Sequence, residues 1–239
     1  MRANNNPATR YFVLDTETSG LPPDAGVCEI GWLEIDTHLN VLGQVESLID
    51  PERPITHAAS GVHGITDEDV TDKPTLQEFF TLQQPPCHGQ PLSAERIVLV
   101  GHKVAFDYQF VAPYLKGEVQ QVCTLRWARH LWPFCDDHKL ATLRYALSLR
   151  RDTGDAHRVM ADILLTFDLL RLILETTQCN LDELAERSQQ PMLLHRMPFG
   201  KHKDLSFEQV PVSYLKWMRD NIEEMDIDLA FTVAHWLNK

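Results

Sequence analysis

A chain of 239 residues, 44% hydrophobic and 23% charged, can bury one ordinary globular core with a small appendix, and no apolar run reaches the roughly 18–20 residues that a membrane span needs. MRANNNPATR lacks the apolar stretch of a secretory signal, and five scattered cysteines without a Cys-x-x-Cys pair argue against a disulfide framework or a thiolate zinc site, so a soluble cytoplasmic protein with no membrane partner is expected. A net charge of −12 disfavours tight coating of duplex nucleic acid, but leaves open a carboxylate site in which bound cations meet a phosphate substrate.

The first ten residues are polar and expected to fray, after which Tyr11, Phe12, Val13 and Leu14 form a short apolar run suited to a buried strand. That run ends in DTETSGLPP. Segments 27–36 and 41–49 are further strands, and the Asn-containing turn between them predicts antiparallel neighbours in a three-strand meander. Beyond Pro51 and Pro54 a helical stretch is expected near 67–82, then the connection QQPPCHGQPLS and an apolar strand at 97–100.

Residues 104–115 carry Val104, Phe106, Phe110, Val111, Tyr114 and Leu115 at near-helical spacing, and 125–132, 140–149 and 157–174 are also read as helices. Strands followed by a strand and several helices predict an α/β layered domain with a mixed sheet, because helices must cover the sheet's apolar faces, and this domain ends near residue 175. Asn180 with Glu183 predicts a capping box for a short helix that Pro191 stops. From about 192 the chain changes character: MPFGKHKDLSFEQVP is turn-rich and basic at its start, and VSYLKWMRDNI sets Tyr214, Leu215, Trp217, Met218 and Ile222 along one helix-like face.

The chemistry lies in four acids and one histidine. Side chains alternate faces on a strand, so Asp15 and Glu17 project together from the end of the first strand, and two like charges that close call for a cation. Asp107 sits in GHKVAFD, where the strand at 97–100 gives way to a helix. DAHRVMAD holds His157 and Asp162 five residues apart, about 140° of rotation on an ideal helix, so the two cannot share a helical face. If both serve one site, Asp162 points inward while His157 acts from the leading end, near Gly154 and Asp155. Singly, each has a plainer explanation: a turn acid, a helix-end charge favoured by the dipole, a surface histidine.

Their order resembles the DEDDh exonuclease superfamily, whose motifs D-x-E-T-x-G, H-N-x-x-F-D and H-x-A-x-x-D correspond to Asp15–Gly20, His102–Asp107 and His157–Asp162. SGVHGITDEDV at 60–70 is similar to the I-H-G-I-T stretch of the proofreading branch. Lys103 stands where the second motif has Asn, open to a substrate phosphate, and Val159 where the third has Ala; neither change removes a metal ligand. The resemblance spans about 10–175 and implies a ribonuclease H-like three-layer α/β fold with a mixed, mainly five-stranded sheet.

It further implies two divalent cations, Mg2+ with Mn2+ as a substitute. Asp15, Glu17 and Asp162 would hold the one that carries the attacking water, and Asp15 and Asp107 the other, with His157 as general base. Thr18, Leu21, His63, His102, Lys103 and Phe106 are the implied substrate contacts, Leu21, His63 and Phe106 by stacking on a terminal base.

The tail, F-G-K-x-K at Phe199–Lys203 and V-P-x-x-Y-L-x-W at Val210–Trp217, resembles that of the exodeoxyribonuclease X branch. This implies an exonuclease domain at 10–175, a helical linker at 176–191 and a small C-terminal α+β domain at 192–239. It also implies DNA 3' ends, single-stranded or duplex, as the substrate, with DNA repair as the setting. Lys201, Lys203, Tyr214 and Trp217 have two readings, a strand-binding platform or a helix core. An RNA 3'-to-5' exonuclease and a polymerase-associated proofreading subunit are the alternatives, and a homodimer is left open. A catalytically silent binding module is disfavoured by the intact acids and His157.

Overall fold

The computed structural model describes residues 9–81, 92–149 and 158–239. The expectations for residues 1–8, the connection 82–91, Gly154, Asp155 and His157 lie outside these residues. Thr9 and Arg10, expected to fray, already belong to the first strand.

Strands β1 (Thr9–Thr18), β2 (Val27–Ile35) and β3 (Val41–Leu48) form the expected antiparallel meander. On the other side of β1, β4 (Leu92–Gly101) and β5 (Leu115–Cys123) run parallel to it, giving one mixed sheet in the order β3-β2-β1-β4-β5. The sheet is the five-stranded α/β layer that the family resemblance implied.

Central β1 is apolar on both faces because both are covered. Tyr11 and Val13 join Leu33, Ile35, Val98 and Val100 in a core closed by helix α7 (Val159–Thr177), through Ile163, Phe167 and Leu170. Phe12 and Leu14 point the other way, into a core with Trp32, Phe79, Phe80 and Val111, contributed in part by α3 (Leu76–Thr81) and α4 (Val104–Val111). Gly31 permits the close seating of α7: a Cβ there would meet Val159 Cγ1 and the Val45 carbonyl at 3.0 Å and Ile163 Cδ1 at 3.1 Å.

Three expectations are corrected. The helix near 67–82 is two short helices, α2 (Asp67–Val70) and α3, because Asp72 takes a left-handed backbone and Pro74 offers no amide to continue the first. A further short helix, α1 (His57–His63), precedes them, capped by the Thr56 hydroxyl, which accepts from the Ala59 amide. The helical reading of 104–115 stops at Val111, and Leu115 opens β5, an edge strand whose Lys116 and Glu118 are exposed. Helices α5 (Thr124–Leu131) and α6 (Leu140–Ala146) stand where expected.

After α7, α8 (Leu181–Ser188) carries the expected capping box, with Asn180 and Glu183 satisfying each other's backbone amides. The remaining chain has its own core of Leu194, Met197, Phe207, Leu215, Met218, Leu229 and Val233, built around α9 (Val212–Asn221) and a second helix, α10 (Ile227–Leu237). Its β content, among the described residues, is a single antiparallel bridge between Arg196 and Ser206.

One ion pair fixes this segment to the sheet domain. The Arg126 guanidinium of α5 donates to both oxygens of Asp228, at 2.7 Å each, and to the carbonyls of Ser188 and Gln190. Asp228 also accepts from the Met192 amide, and its side chain is 3% exposed. Arg126→Ala would strand that carboxylate, and thermal denaturation should show a loss of about 3 kcal/mol, the usual consequence of breaking a buried pair on one side.

Candidate active site

The alternation that buries Tyr11 and Val13 against α7 continues past the end of the apolar run, so Asp15 and Glu17 fall on that same face. Asp162, in the first turn of α7, comes down to meet them. Carboxylate oxygens of Asp15, Glu17 and Asp162 lie within 4.8 Å of one another, all half-buried. Burial first, then the neighbouring Asp107, Asp162, Glu17 and Glu29, holds Asp15 well above the usual carboxylate range. Glu17 is pushed up to about 8, again by burial first, then by Asp162, Glu29 and Asp107, with Arg158 pulling the other way.

Asp107 comes from the opposite face of β1. From the first turn of α4, its Oδ1 accepts from the Thr16 amide at 3.1 Å and the Thr16 hydroxyl at 2.7 Å. Burial raises its pKa while those hydrogen bonds lower it. It stands beside the cluster, tied to the strand that carries Asp15, and is not among the three acids that converge within 4.8 Å. All the converging donors are carboxylate oxygens, the set that suits a hard divalent cation, and the unfavourable crowding of their charges is what such a cation relieves.

Sequence reasoning missed Glu29. In β2 it pairs directly with Glu17 of β1, and it is fully buried. Like charges opposite each other in a sheet are destabilising. Glu29 is compensated from α7: it accepts from the Val159 amide at 3.1 Å, from Arg158 Nε at 3.1 Å, and in a closer contact from Arg158 Nη2. Arg158 caps α7 and directly follows His157 in the chain. The available signal was an acid inside the otherwise apolar VCEIGWL.

The other expected contacts divide into three kinds. His63 is buried, its Nε2 facing the Thr18 carbonyl at 3.2 Å and its Nδ1 accepting from the Ile65 amide, so it props the loop after Glu17 instead of offering a ring face. The rest of that motif is structural too: Gly64 ends α1 in the left-handed conformation at φ 75°, and Ile65 fills a small core with Cys28, Ile55 and Val70. Thr18 is also buried, its hydroxyl donating to the Gly20 carbonyl. His102 contacts Thr124 Oγ1 and the His138 carbonyl, and burial lowers its pKa to about 4, which makes it a neutral buttress. Leu21, 82% exposed, and Lys103, whose ammonium lies 5.4 Å from the centre of the half-buried Phe106 ring, are the accessible members.

Asp15 and Asp162 open into a groove of about 1030 Å3 whose walls include Lys103, Arg129, Phe134, Arg196 and Lys203. On the tail, Tyr214 stacks on Trp217 at 5.5 Å, and Trp217 is 51% exposed. Of the four residues considered for a platform there, Lys203 alone is among the groove's lining residues.

The family model described as "Exonuclease" matches residues 12–170. The chain belongs to the exonuclease family. Exonuclease relatives extend beyond that segment: Exodeoxyribonuclease 10 of Escherichia coli strain K12 is 29% identical over 230 residues, covering 94% of this chain and 97% of its own. DNA polymerase III subunit epsilon of Buchnera aphidicola is 31% identical over 185 residues, covering 69% of this chain and 72% of its own. A solved structure described as Exonuclease X in complex with 5' overhanging duplex DNA superposes with a TM-score of 0.59 at 26% identity, over 75% of this chain and 99% of that one. A second family model, whose description names a quorum-sensing-regulated virulence factor, matches residues 186–222. The DEDDh resemblance is thus borne out, and the protein is a nuclease hydrolase of the exonuclease family. Among the described residues no helix is long and apolar enough to cross a membrane.

Proposed function

We propose that this protein is a 3'-to-5' exodeoxyribonuclease that releases 5'-phosphomononucleotides from DNA ends. The observation that carries the reading is the convergence of Asp15, Glu17 and Asp162 within 4.8 Å at the head of a groove. The name of the Escherichia coli relative and the DNA in the Exonuclease X complex support DNA over RNA.

Asp15, Glu17 and Asp162 would hold one divalent cation, and Asp15 with Asp107 a second, Mg2+ or Mn2+. Bound there, the pair supplies charge relief to the phosphate oxygens and acidity to the attacking water. The protein's own groups do the rest. Thr16 fixes the Asp107 carboxylate, and the Glu29–Arg158 pair sets the start of α7. By the family resemblance His157, which directly precedes Arg158 in the sequence, accepts the proton of the attacking water. An imidazole with an ordinary pKa of about 6.5 is neutral and able to accept at physiological pH. Water oxygen bonds to phosphorus, the bond to the 3' oxygen of the preceding nucleotide breaks, and that oxygen takes up a proton. Leu21 and Phe106 face the terminal base. The division at 10–175, 176–191 and 192–239, a cytoplasmic location and a role in repair belong to this same reading; the separate core of the tail supports the boundary at 192, while Leu181, Leu184 and Ala185 of α8 pack into the core of the sheet domain.

Chromatography of the products from DNA and RNA of one sequence, with Mg2+ or Mn2+, tests it. Deoxymononucleotides bearing a 5' phosphate should appear, and His157→Ala should lower their release at least about 100-fold, the usual worth of a general base, with little change in cation affinity. Near wild-type turnover by His157→Ala would remove the base assignment, and preferential release from RNA would remove the substrate assignment.

A further inference from the structure

The groove does not end at the carboxylates. Besides Asp15 and Asp162, its lining includes Lys103 and Arg129 of the sheet domain and Arg196 and Lys203 of the C-terminal segment. Its volume of about 1030 Å3 is at the top of the roughly 300–1,000 Å3 typical of pockets for whole small molecules, so a single terminal nucleotide leaves much of it unfilled. None of these four cations forms an ion pair among the described residues, although the chain carries a net charge of −12. Beside them the Phe134 ring is 79% exposed, with the Arg196 guanidinium 4.8 Å from its centre.

We propose that this groove binds the unpaired nucleotides immediately upstream of the 3'-terminal one, with phosphates on Lys103, Arg129, Arg196 and Lys203 and a base stacked on Phe134. The proposal rests on the function above and deepens it, since it makes the C-terminal segment one wall of the substrate path. An exposed ring beside cations is the arrangement that holds single strands, and it needs a base freed from the duplex stack. Asp136, Asp137 and Asp204 share the lining, so the positive charge acts at separate points and not as a uniform field. The wall is held in register by the Arg126–Asp228 pair, by the contact between His130 Nδ1 and the Leu193 carbonyl, and by the stacking of His130 on His195.

Steady-state hydrolysis by the full chain with Mg2+ tests this on two probes, an oligothymidylate of about 20 nucleotides and a trinucleotide. For Arg196→Ala/Lys203→Ala, KM for the long probe should rise roughly tenfold with kcat little changed. The salt dependence of kcat/KM should become shallower by about 1.4, since each single-strand phosphate that a cation neutralises adds about 0.7 to the slope. The trinucleotide should be affected much less, and Phe134→Ala should show the same length-dependent split without the change in salt slope. Arg219→Ala, which removes an exposed cation paired with Asp220, is the control for charge alone and should behave as wild type. Equal effects on both probes, or none on the long one, would overturn the groove assignment. Failure of the wild type to shorten either probe would instead defeat the functional reading on which it rests.

Discussion

Asp162→Asn should abolish hydrolysis and, in the presence of a chelator, make the protein more stable than wild type. The two effects share one cause. Asp15, Glu17 and Asp162 crowd three carboxylates within 4.8 Å, and Asp162 is the leading charge that raises Glu17 after burial. Cation chemistry worth several kcal/mol disappears with the ligand, so turnover should fall at least about 1000-fold, at about 1.4 kcal/mol per tenfold. Removing the charge also removes repulsion that the fold bears when no cation is bound. The unfolding midpoint in chelator should therefore rise by a few degrees, about 2–4 °C corresponding to 1 kcal/mol in a chain of this size.

The same crowding gives the wild type a pH signature. Glu17 has its folded pKa raised from 4.5 to about 8, so the folded state binds a proton that the unfolded state has already released. The stability this contributes is fully present below about pH 4.5 and is lost as pH rises through about 8. In chelator the melting temperature should fall across that window, and saturating Mg2+ or Mn2+, which binds the ionised form, should raise it at the alkaline end. A melting curve equally flat with and without cation would contradict the burden placed on Glu17.

The second large effect is at Glu29. Its carboxylate is fully buried and accepts from the Val159 amide and the Arg158 guanidinium, while the Arg158 side chain stays 41% exposed. Glu29→Ala would leave the amide without its partner and free the cap of α7. Arg158 can turn to water, so the cost should lie at the lower end of the range for broken buried pairs, about 3 kcal/mol. Glu29→Gln keeps the shape and one acceptor, and should cost about half as much. Activity separates positioning from simple packing: Glu29→Gln should lower kcat while leaving KM and far-ultraviolet circular dichroism unchanged, because the placement of Asp162 depends on where α7 begins. If Glu29→Gln retained wild-type kcat, Glu29 would be a stability residue alone.

The parts of this molecule legible from sequence are those governed by short-range periodicity. Tyr11–Leu14 is apolar throughout because β1 is covered on both faces, and the same alternation places Asp15 and Glu17 side by side. Asp162 faces inward only on the condition that it serves one site with the other acids, which the pattern of α7 does not supply by itself. Leu215 and Met218 on the buried face of α9 and the capping box at Asn180 were equally local, whereas Trp217, expected on the same face, is 51% exposed. What stayed hidden depends on distant partners. β5 carries Lys116 and Glu118 because it lies at the sheet's edge, and its pairing with β4 supplies what its composition does not. Glu29 looks like a defect in an apolar strand until Arg158, 129 residues later, is brought against it. His63 and His102 belong to motifs that suggest substrate contact, yet their ring nitrogens are taken up by backbone and hydroxyl groups of the fold. The groove is equally non-local, since its lining draws on Asp15, Lys103, Arg129, Asp162 and Arg196 from separate stretches of the chain.

A DNA strand labelled at its 5' end, incubated with the protein and Mg2+ and sampled over time, decides whether the Asp15–Glu17–Asp162 cluster drives hydrolysis from the 3' end. The expected result is a ladder that shortens from the 3' end in single-nucleotide steps, stops on addition of chelator, and is absent with Asp162→Asn. Immediate release of the label as a mononucleotide, internal cuts that precede any shortening, or a ladder indifferent to chelator would contradict it.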